Sequence, residues 1–554
     1  MRAFLASSIS VACTAALVLP VLALESGTAA AAAASGLPLP EPPGSTQSLP
    51  LSRLPVVERV GGTVEAQGLA PRDVRPFSLL GVVWDDPDAV LHGAVQVRTR
   101  AVGSTSWTGW QALEADDHQH GADPDSVERA GSGRVHGATA PLWVGASDGV
   151  EVRVVSERIA EGAADGAEAV PGAGADAGAV ARVPGDKALG LPSGLRVELV
   201  DPGQGPETAA ARRTQGAGGA VGAAPAAGAV GPAPEDGTVP ATRPGSHAAQ
   251  PGNPATRPGN PPAAATLPET PIESLMDPLA GEEETATPGQ QAAAEAAVLA
   301  AMSPEAAAAT AVNADLAPLG ADLIPALAKE ESESEAGPDG AAGTLEDASA
   351  LKTYIGPRPA IVTRKGWGAD ESLREKQFIY SKTVKAAFVH HTATGNTYAC
   401  SQAPSVIRGI YRYHVVSSGW RDIGYNFVID RCGNIYEGRA GGVTKAVMGA
   451  HTLGFNTDSM GIAVIGTFSS AQPATAAVNA IARLTAWKLG LFGVNPKATT
   501  LLTSGGGNKF PKGTKAKLNV ISGHRDGFAT DCPGARLYSK LATARSAAAK
   551  LQGR

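Results

Sequence analysis

Cysteine is scarce, with 4 in 554 residues. Cys13 falls in the first apolar stretch, leaving Cys400, Cys432 and Cys532. That is too few for a disulfide-stapled scaffold, and an odd number for an exported chain. One disulfide and one thiolate with a separate task satisfy the count, and three pairings are open at this point. Aromatic residues are few as well, 5% of the chain, against Gly 67 and Pro 42, so much of the length does not pack into a core. No apolar run long enough to span a bilayer follows the N-terminus. The N-terminal run itself, in residues 1–34, has one Arg, then apolar residues, then small ones: it reads as a secretory signal peptide, not an anchor. Too little apolar sequence precedes Cys13 for a lipid-anchor reading.

The chain is too long for one hydrophobic core, so two or more domains with linkers are expected. Its net charge of −7 hides a polarity. From Leu351 onward there are 27 Lys and Arg against 9 Asp and Glu; the remainder holds 19 against 44. A basic C-terminal part calls for an anionic partner. For an exported chain, anionic cell-wall polymers suit that role. Nucleic acid is not expected, because no basic motif interleaved with aromatics is present.

Residues 50–201 read as β-rich. "FSLLGVVWDD", "GAVQVRTR", "APLWVGASDG" and "VEVRVVSE" are short, partly alternating runs between Gly and Asp turns. Val95 and Val97 share one face and Arg98 and Arg100 the other, the pattern of a small antiparallel sandwich-like domain. Residues 159–187 read as a disordered insertion. Trp107 and Trp110 are expected in the core rather than stacked on sugars, and "DDHQH" at 116–120 as a solvated turn rather than a metal site. Residues 202–350 are a Pro/Ala/Gly/acidic tether whose composition does not offset the entropy of ordering, with a transient helix at 290–312. From Tyr354 strands alternate with helices, giving an α/β domain around one sheet.

Within that domain His390 ends the apolar strand "AAFVH", His524 ends "NVISGH", and Cys532 follows in "DCPG". Strand ends hold side chains rigidly, and two imidazoles with one thiolate form a zinc site with an open fourth position. The spacing alone also fits two ordinary strand histidines and a buried thiol. A third reading makes Cys532 a nucleophile with His524 as its base, but it leaves His390 unexplained.

Four blocks, "FVHHTATGN", "GWRDIGYNFVIDRCGNIYEGR", "MGAHTLGFNTDSMGIAVIGTF" and "SGHRDGFATDCPG", resemble the peptidoglycan recognition protein and type-2 N-acetylmuramoyl-L-alanine amidase family in order and separation, over residues 355–550. The upstream domain and tether look like those of exported actinobacterial members. The resemblance implies a central mixed sheet flanked by helices, and one Zn2+ held by His390, His524 and Cys532. It implies that Tyr425 supports the reacting oxygen, that Thr530 assists, and that His451 contacts substrate. Arg439 and Arg525 are candidates to grip stem-peptide carboxylates, with structural ion pairs as the alternative. His391 and His414 are expected to pack, and Glu437 to pair with a neighbouring Arg. Trp367 either caps the domain or lines the cleft. Cys400, just after the first metal-binding strand, and Cys432, in the hairpin turn, are then the expected disulfide. The function implied is that of a secreted, monomeric zinc amidase cleaving the bond between N-acetylmuramic acid and L-alanine in peptidoglycan. A non-catalytic peptidoglycan-binding module is the alternative. Receptor-only relatives commonly lack the Cys ligand, which this chain keeps.

Overall fold

The computed structural model describes residues 44–54, 65–114, 120–127, 129, 135–157, 190–205, 296–336 and 354–554. The expected signal peptide, the insertion at 159–187 and the tether between 206 and 295 lie outside the described residues.

The first domain is one eight-stranded antiparallel sheet. Its strands are β1 (Ser45–Pro50), β2 (Ser52–Arg53), β3 (Ala66–Trp84), β4 (Gly93–Ala101), β5 (Gln111–Leu113), β6 (Gly137–Ala138), β7 (Leu142–Ser156) and β8 (Arg196–Asp201). The main path runs β1-β8-β3-β7-β4-β5. β3 shifts register against β7 between Leu69 and Arg72, and twice more by Leu79, and such irregularities bend a strand. The alternation read in β4 holds: Val95 and Val97 are buried and join Phe77, Trp84 and Val152 in a core. The expectation for the two tryptophans does not hold. Trp107 and Trp110 are half-exposed, and Arg98, Arg100 and Arg153 lie over them, Arg153 at 4.0 Å from the Trp110 ring. They stand on the outward face of β4, where the guanidinium planes and not the core cover them.

The second domain is built on a seven-stranded mixed sheet, with β9 (Leu323–Ile324), β10 (Ile361–Val362), β11 (Ala386–His391), β12 (Phe427–Ile429), β13 (Ile435–Glu437), β14 (Ser459–Val464) and β17 (Ile521–Gly523) in the order β17-β11-β14-β12-β13-β10-β9. β15 (Thr499–Thr503) and β16 (Lys515–Asn519) form a separate hairpin. β11 pairs in parallel with both β14 and β17, and every residue of β11 and β14 is buried. Strands covered on both faces read as unbroken apolar runs, which is how "AAFVHH" and "SMGIAV" read. Helices Thr475–Gly490 and Leu541–Gln552 cover one face of the sheet. Helix Ala403–Arg412 covers the other and runs into a π-helical turn, Tyr413–Ser417. Cys400, which opens this stretch, is bonded to Cys432 in the β12–β13 turn.

The two domains share a core. Leu79, Val83, Ala138, Trp143 and Val200 of the first pack with Val406, Ile410 and Tyr413 of the second. The ordered second domain also begins earlier than expected. Ser303 caps helix Pro304–Ala311, accepting from the Ala306 N–H, with Pro304 at the first turn. β9 pairs antiparallel with β10, and Asn313 donates to the Glu437 carboxylate while accepting from Val443 N–H. Residues 296–336, assigned above to the tether, thus form a helical and strand-bearing flank of the second sheet.

Candidate metal centre

β11 and β17 are parallel neighbours, with Val389 opposite Gly523, so their C-terminal ends coincide. His390 follows Val389, and His524 follows Gly523 at the head of a helical turn, His524–Gly527. Sheet pairing therefore closes a gap of more than a hundred residues and puts the two imidazole centroids 4.6 Å apart. Cys532 returns through a fastened loop. Arg525 N–H donates to the Cys532 carbonyl, the Arg525 guanidinium to the Asp531 carbonyl, and Cys532 N–H to Thr530 Oγ1 at 3.0 Å. Its Sγ reaches 3.7 Å from His390 Nδ1.

A fourth group completes the cluster, from the other domain. His120, just after β5, lies with its ring 4.6 Å from that of His524 and 5.2 Å from that of His390. Its Nε2 is 4.0 Å from Cys532 Sγ. One ligand atom from each of His120, His390, His524 and Cys532 lies within 4.8 Å of every other, and all four residues are buried. The expectation of a solvated turn at "DDHQH" is corrected for His120, which is buried against the second domain; residues 116–119 lie outside the described residues.

The donor set fits zinc. Neighbouring ligands about a tetrahedral zinc are separated by ~3.5 Å, given bonds of ~2.0 Å to nitrogen and ~2.3 Å to sulfur, and a thiolate with imidazoles is its favoured company. Burial, followed by the neighbouring His524 and His120, holds His390 well below the usual histidine range, so its ring is neutral and its Nδ1 lone pair can be given to a metal. The other ring nitrogen has partners of its own. His390 Nε2 lies 3.3 Å from His451 Nδ1 and 3.4 Å from Thr452 Oγ1. Such contacts on the far nitrogen fix the tautomer and plane of a ligating histidine.

His451, expected at the substrate, is the first of these partners. It is fully buried behind His390, between Thr452 and Ser459, and burial pushes its pKa down to about 3. Here it stands behind His390 and is covered while the two domains are docked. Arg439, also expected at the substrate, is buried, donates to the carbonyls of Ile423, Met448 and Asp422 and ties the β13 exit to the preceding loop. Tyr425 is buried with its ring 5.6 Å from His390 and 5.8 Å from His120, so it belongs to the cluster. Thr530 acts on the Cys532 backbone. Arg525 holds the ligand loop and lies 5.2 Å over the Tyr538 ring. His391 turns to the opposite face, 3.4 Å from Glu114. His414 packs on Trp420 and accepts from Gly424 N–H. Trp367 lies in the core, donating to the Glu437 carbonyl. Glu437 accepts from Asn313 and from Arg364 N–H, a structural role with the backbone rather than the side chain of an arginine.

Comparison with known proteins agrees with this geometry. Residues 380–535 match the N-acetylmuramoyl-L-alanine amidase family, and residues 31–179 match the Rv3811 N-terminal galactose-binding domain-like family. Peptidoglycan-recognition protein SC2 of Drosophila simulans is 30% identical over 185 residues, covering 33% of this chain and 85% of that protein. The human N-acetylmuramoyl-L-alanine amidase is 31% identical over 188 residues, 33% of this chain and 28% of that protein. The solved structure of Drosophila PGRP-LB is 26% identical, with a TM-score of 0.26, and the match covers 33% of this chain and 92% of that one. With four motif blocks in order and a relative matched over most of its length, the chain belongs to the peptidoglycan recognition protein and type-2 N-acetylmuramoyl-L-alanine amidase family.

Proposed function

We propose that the protein is a secreted, zinc-dependent N-acetylmuramoyl-L-alanine amidase that hydrolyses the amide joining N-acetylmuramic acid to L-alanine in peptidoglycan. The observation that carries this reading is the convergence of buried His390, His524 and Cys532 at the joint end of two parallel strands, with Tyr425 packed against them. Zinc held there supplies a Lewis acid and, when one position is open, a water acidic enough to act near neutral pH. The chain's own residues do the rest. His451 and Thr452 hold the His390 ring by its Nε2. Thr530 and Arg525 hold the loop that presents the Cys532 thiolate. Tyr425 donates to the amide oxygen as it gains negative charge, an interaction stronger in the transition state than in the ground state. The excess of Lys and Arg after Leu351 draws the domain to an anionic wall, and the N-terminal signal-like sequence directs it there.

The test measures zinc content and release of free stem peptides from purified peptidoglycan by the full chain, by His120→Ala and by Cys532→Ala. One zinc in the first two, peptide release by at least one of them, and loss of both properties in Cys532→Ala support the reading. Zinc and wall binding without release from any variant would sink it in favour of a recognition module.

A further inference from the structure

His120 belongs to a domain that the hydrolytic chemistry does not need, yet it completes the cluster. Four protein donors on a tetrahedral zinc leave no position for water, the pattern of structural sites, whereas catalytic sites keep one open. We infer that His120 is a fourth metal ligand, supplied by the N-terminal domain, which closes the centre and holds the enzyme latent until its loop is displaced. This inference rests on the metal reading above.

The loop carrying His120 is anchored on the second domain, so its approach is not incidental. Asp123, itself buried, accepts from Gly454 N–H at 2.6 Å and from Asn456 Nδ2 at 2.9 Å. Asn456 Nδ2 also donates to the Gly121 carbonyl at 2.7 Å. The same Asn456 accepts, through Oδ1, from the N–H groups of His451 and Thr452, the two residues that hold the His390 ring. One asparagine thus fastens both the His390 support and the incoming loop. Farther along, Asp125 pairs with Lys512, and His136 N–H donates to the Ser418 carbonyl.

The loop also narrows the approach to the centre. A cavity of about 340 Å³ beside His120 is walled by Pro87 and Val90 of the first domain and by Trp420, Leu453 and Phe528 of the second. That volume is at the low end for a small-molecule site, and its walls come from both domains, so the approach beside His120 is shaped by their docking. With His120 withdrawn, His390, His524 and Cys532 would remain to hold a metal with one position open, and no covalent bond of the chain would be made or broken.

The experiment uses the full chain loaded with cobalt in place of zinc, as wild type, His120→Ala and Asp123→Ala. Visible absorption of bound cobalt reports its coordination independently of turnover, and azide serves as the probe of an open position. The expected result is a wild-type spectrum unmoved by azide at concentrations that shift His120→Ala. Zinc-loaded His120→Ala should release stem peptides at least about tenfold faster than wild type, equivalent to about 1.4 kcal/mol of preference for the closed state. Asp123→Ala, which keeps every ligand, should move both readouts in the same direction. Equal azide response in wild type and His120→Ala, with one metal in each, would overturn latency while leaving the amidase reading intact. Absence of stoichiometric metal from both would overturn the two together.

Discussion

The joint between the domains turns on a single phenol, and its removal makes a quantitative test of the shared core. Tyr413 is fully buried, and its hydroxyl donates to the Thr139 carbonyl at 3.0 Å. Thr139 in turn donates its N–H to the Val82 carbonyl and accepts the Val82 N–H on Oγ1. Tyr413→Phe keeps the ring and strips the donor, leaving a buried carbonyl with a weaker set of partners, at a cost of about 1–3 kcal/mol. The opposing position is equally exacting. A Cβ on Gly81 would stand 2.2 Å from the Tyr413 hydroxyl and 2.5 Å from Cζ, so Gly81→Ala forces the ring away. Overpacking of this kind costs about 1–3 kcal/mol. In urea, with a slope of about 1–3 kcal/mol per molar, either change should lower the midpoint of the transition that separates the domains by roughly 1 M. The double variant should cost less than the sum, because Tyr413→Phe removes the hydroxyl that the methyl group added by Gly81→Ala meets first. Tryptophan fluorescence follows the transition, since Trp143 and Trp367 lie in the joint. Midpoints within about 0.2 M of wild type for both single variants would refute the shared core as a source of docking energy.

Two further outcomes follow from a buried carboxyl and from the disulfide of the second domain. Burial raises the Glu437 carboxyl from its ordinary value to about 7, against the lowering effect of Asn313 and Arg364. Stability linked to it is therefore full below about pH 4.5 and is lost as pH rises through about 7, a change of about 3 kcal/mol. Thermal unfolding followed from pH 5 to 8 should show the fall, and Glu437→Gln should flatten it; an unchanged slope in the variant would rule this carboxyl out as the cause. Replacing Cys400 and Cys432 by Ala frees a loop spanning 32 residues, which loop-closure entropy values at about 3.7 kcal/mol. Guanidinium denaturation of the double variant checks this, and a loss below about 1 kcal/mol would show that the loop is ordered without its bond.

Much of the second domain was legible because its signals are local. Unbroken apolar runs marked β11 and β14, and the turn at Cys432–Gly433–Asn434 marked the β12–β13 hairpin; Gly433 indeed has φ of 83°, a region that glycine tolerates. The cluster of His390, His524 and Cys532 was legible through motifs, which identify residues but not the direction of their side chains. His451 and Arg439 were therefore expected at the substrate, although both are turned inward. His120 carried no such signal: it lies on a short polar stretch, 412 residues from Cys532, and only tertiary packing brings the two together. The flank at 296–336 was read only in part, as a transient helix at 290–312 within the tether, for another reason. Its Ala-rich composition resembles the tether, and only the cap Ser303-Pro304-Glu305 announced a helix start. Its remaining stabilisation comes from contacts, such as Asn313 with Glu437, that no window of sequence contains.

The flank also bears on how the second sheet ends. A mixed sheet offers two open ladders at its margins, and an unpaired ladder invites another chain to add to it. Here one margin ends in β9, only two residues long, beyond which Arg358 occupies the Pro325 carbonyl. At the other margin β17 has three residues, and Arg545 of the final helix donates to its Ile521 carbonyl at 2.7 Å. Short margins with guanidinium groups on their outer carbonyls leave this second sheet little template for strand addition.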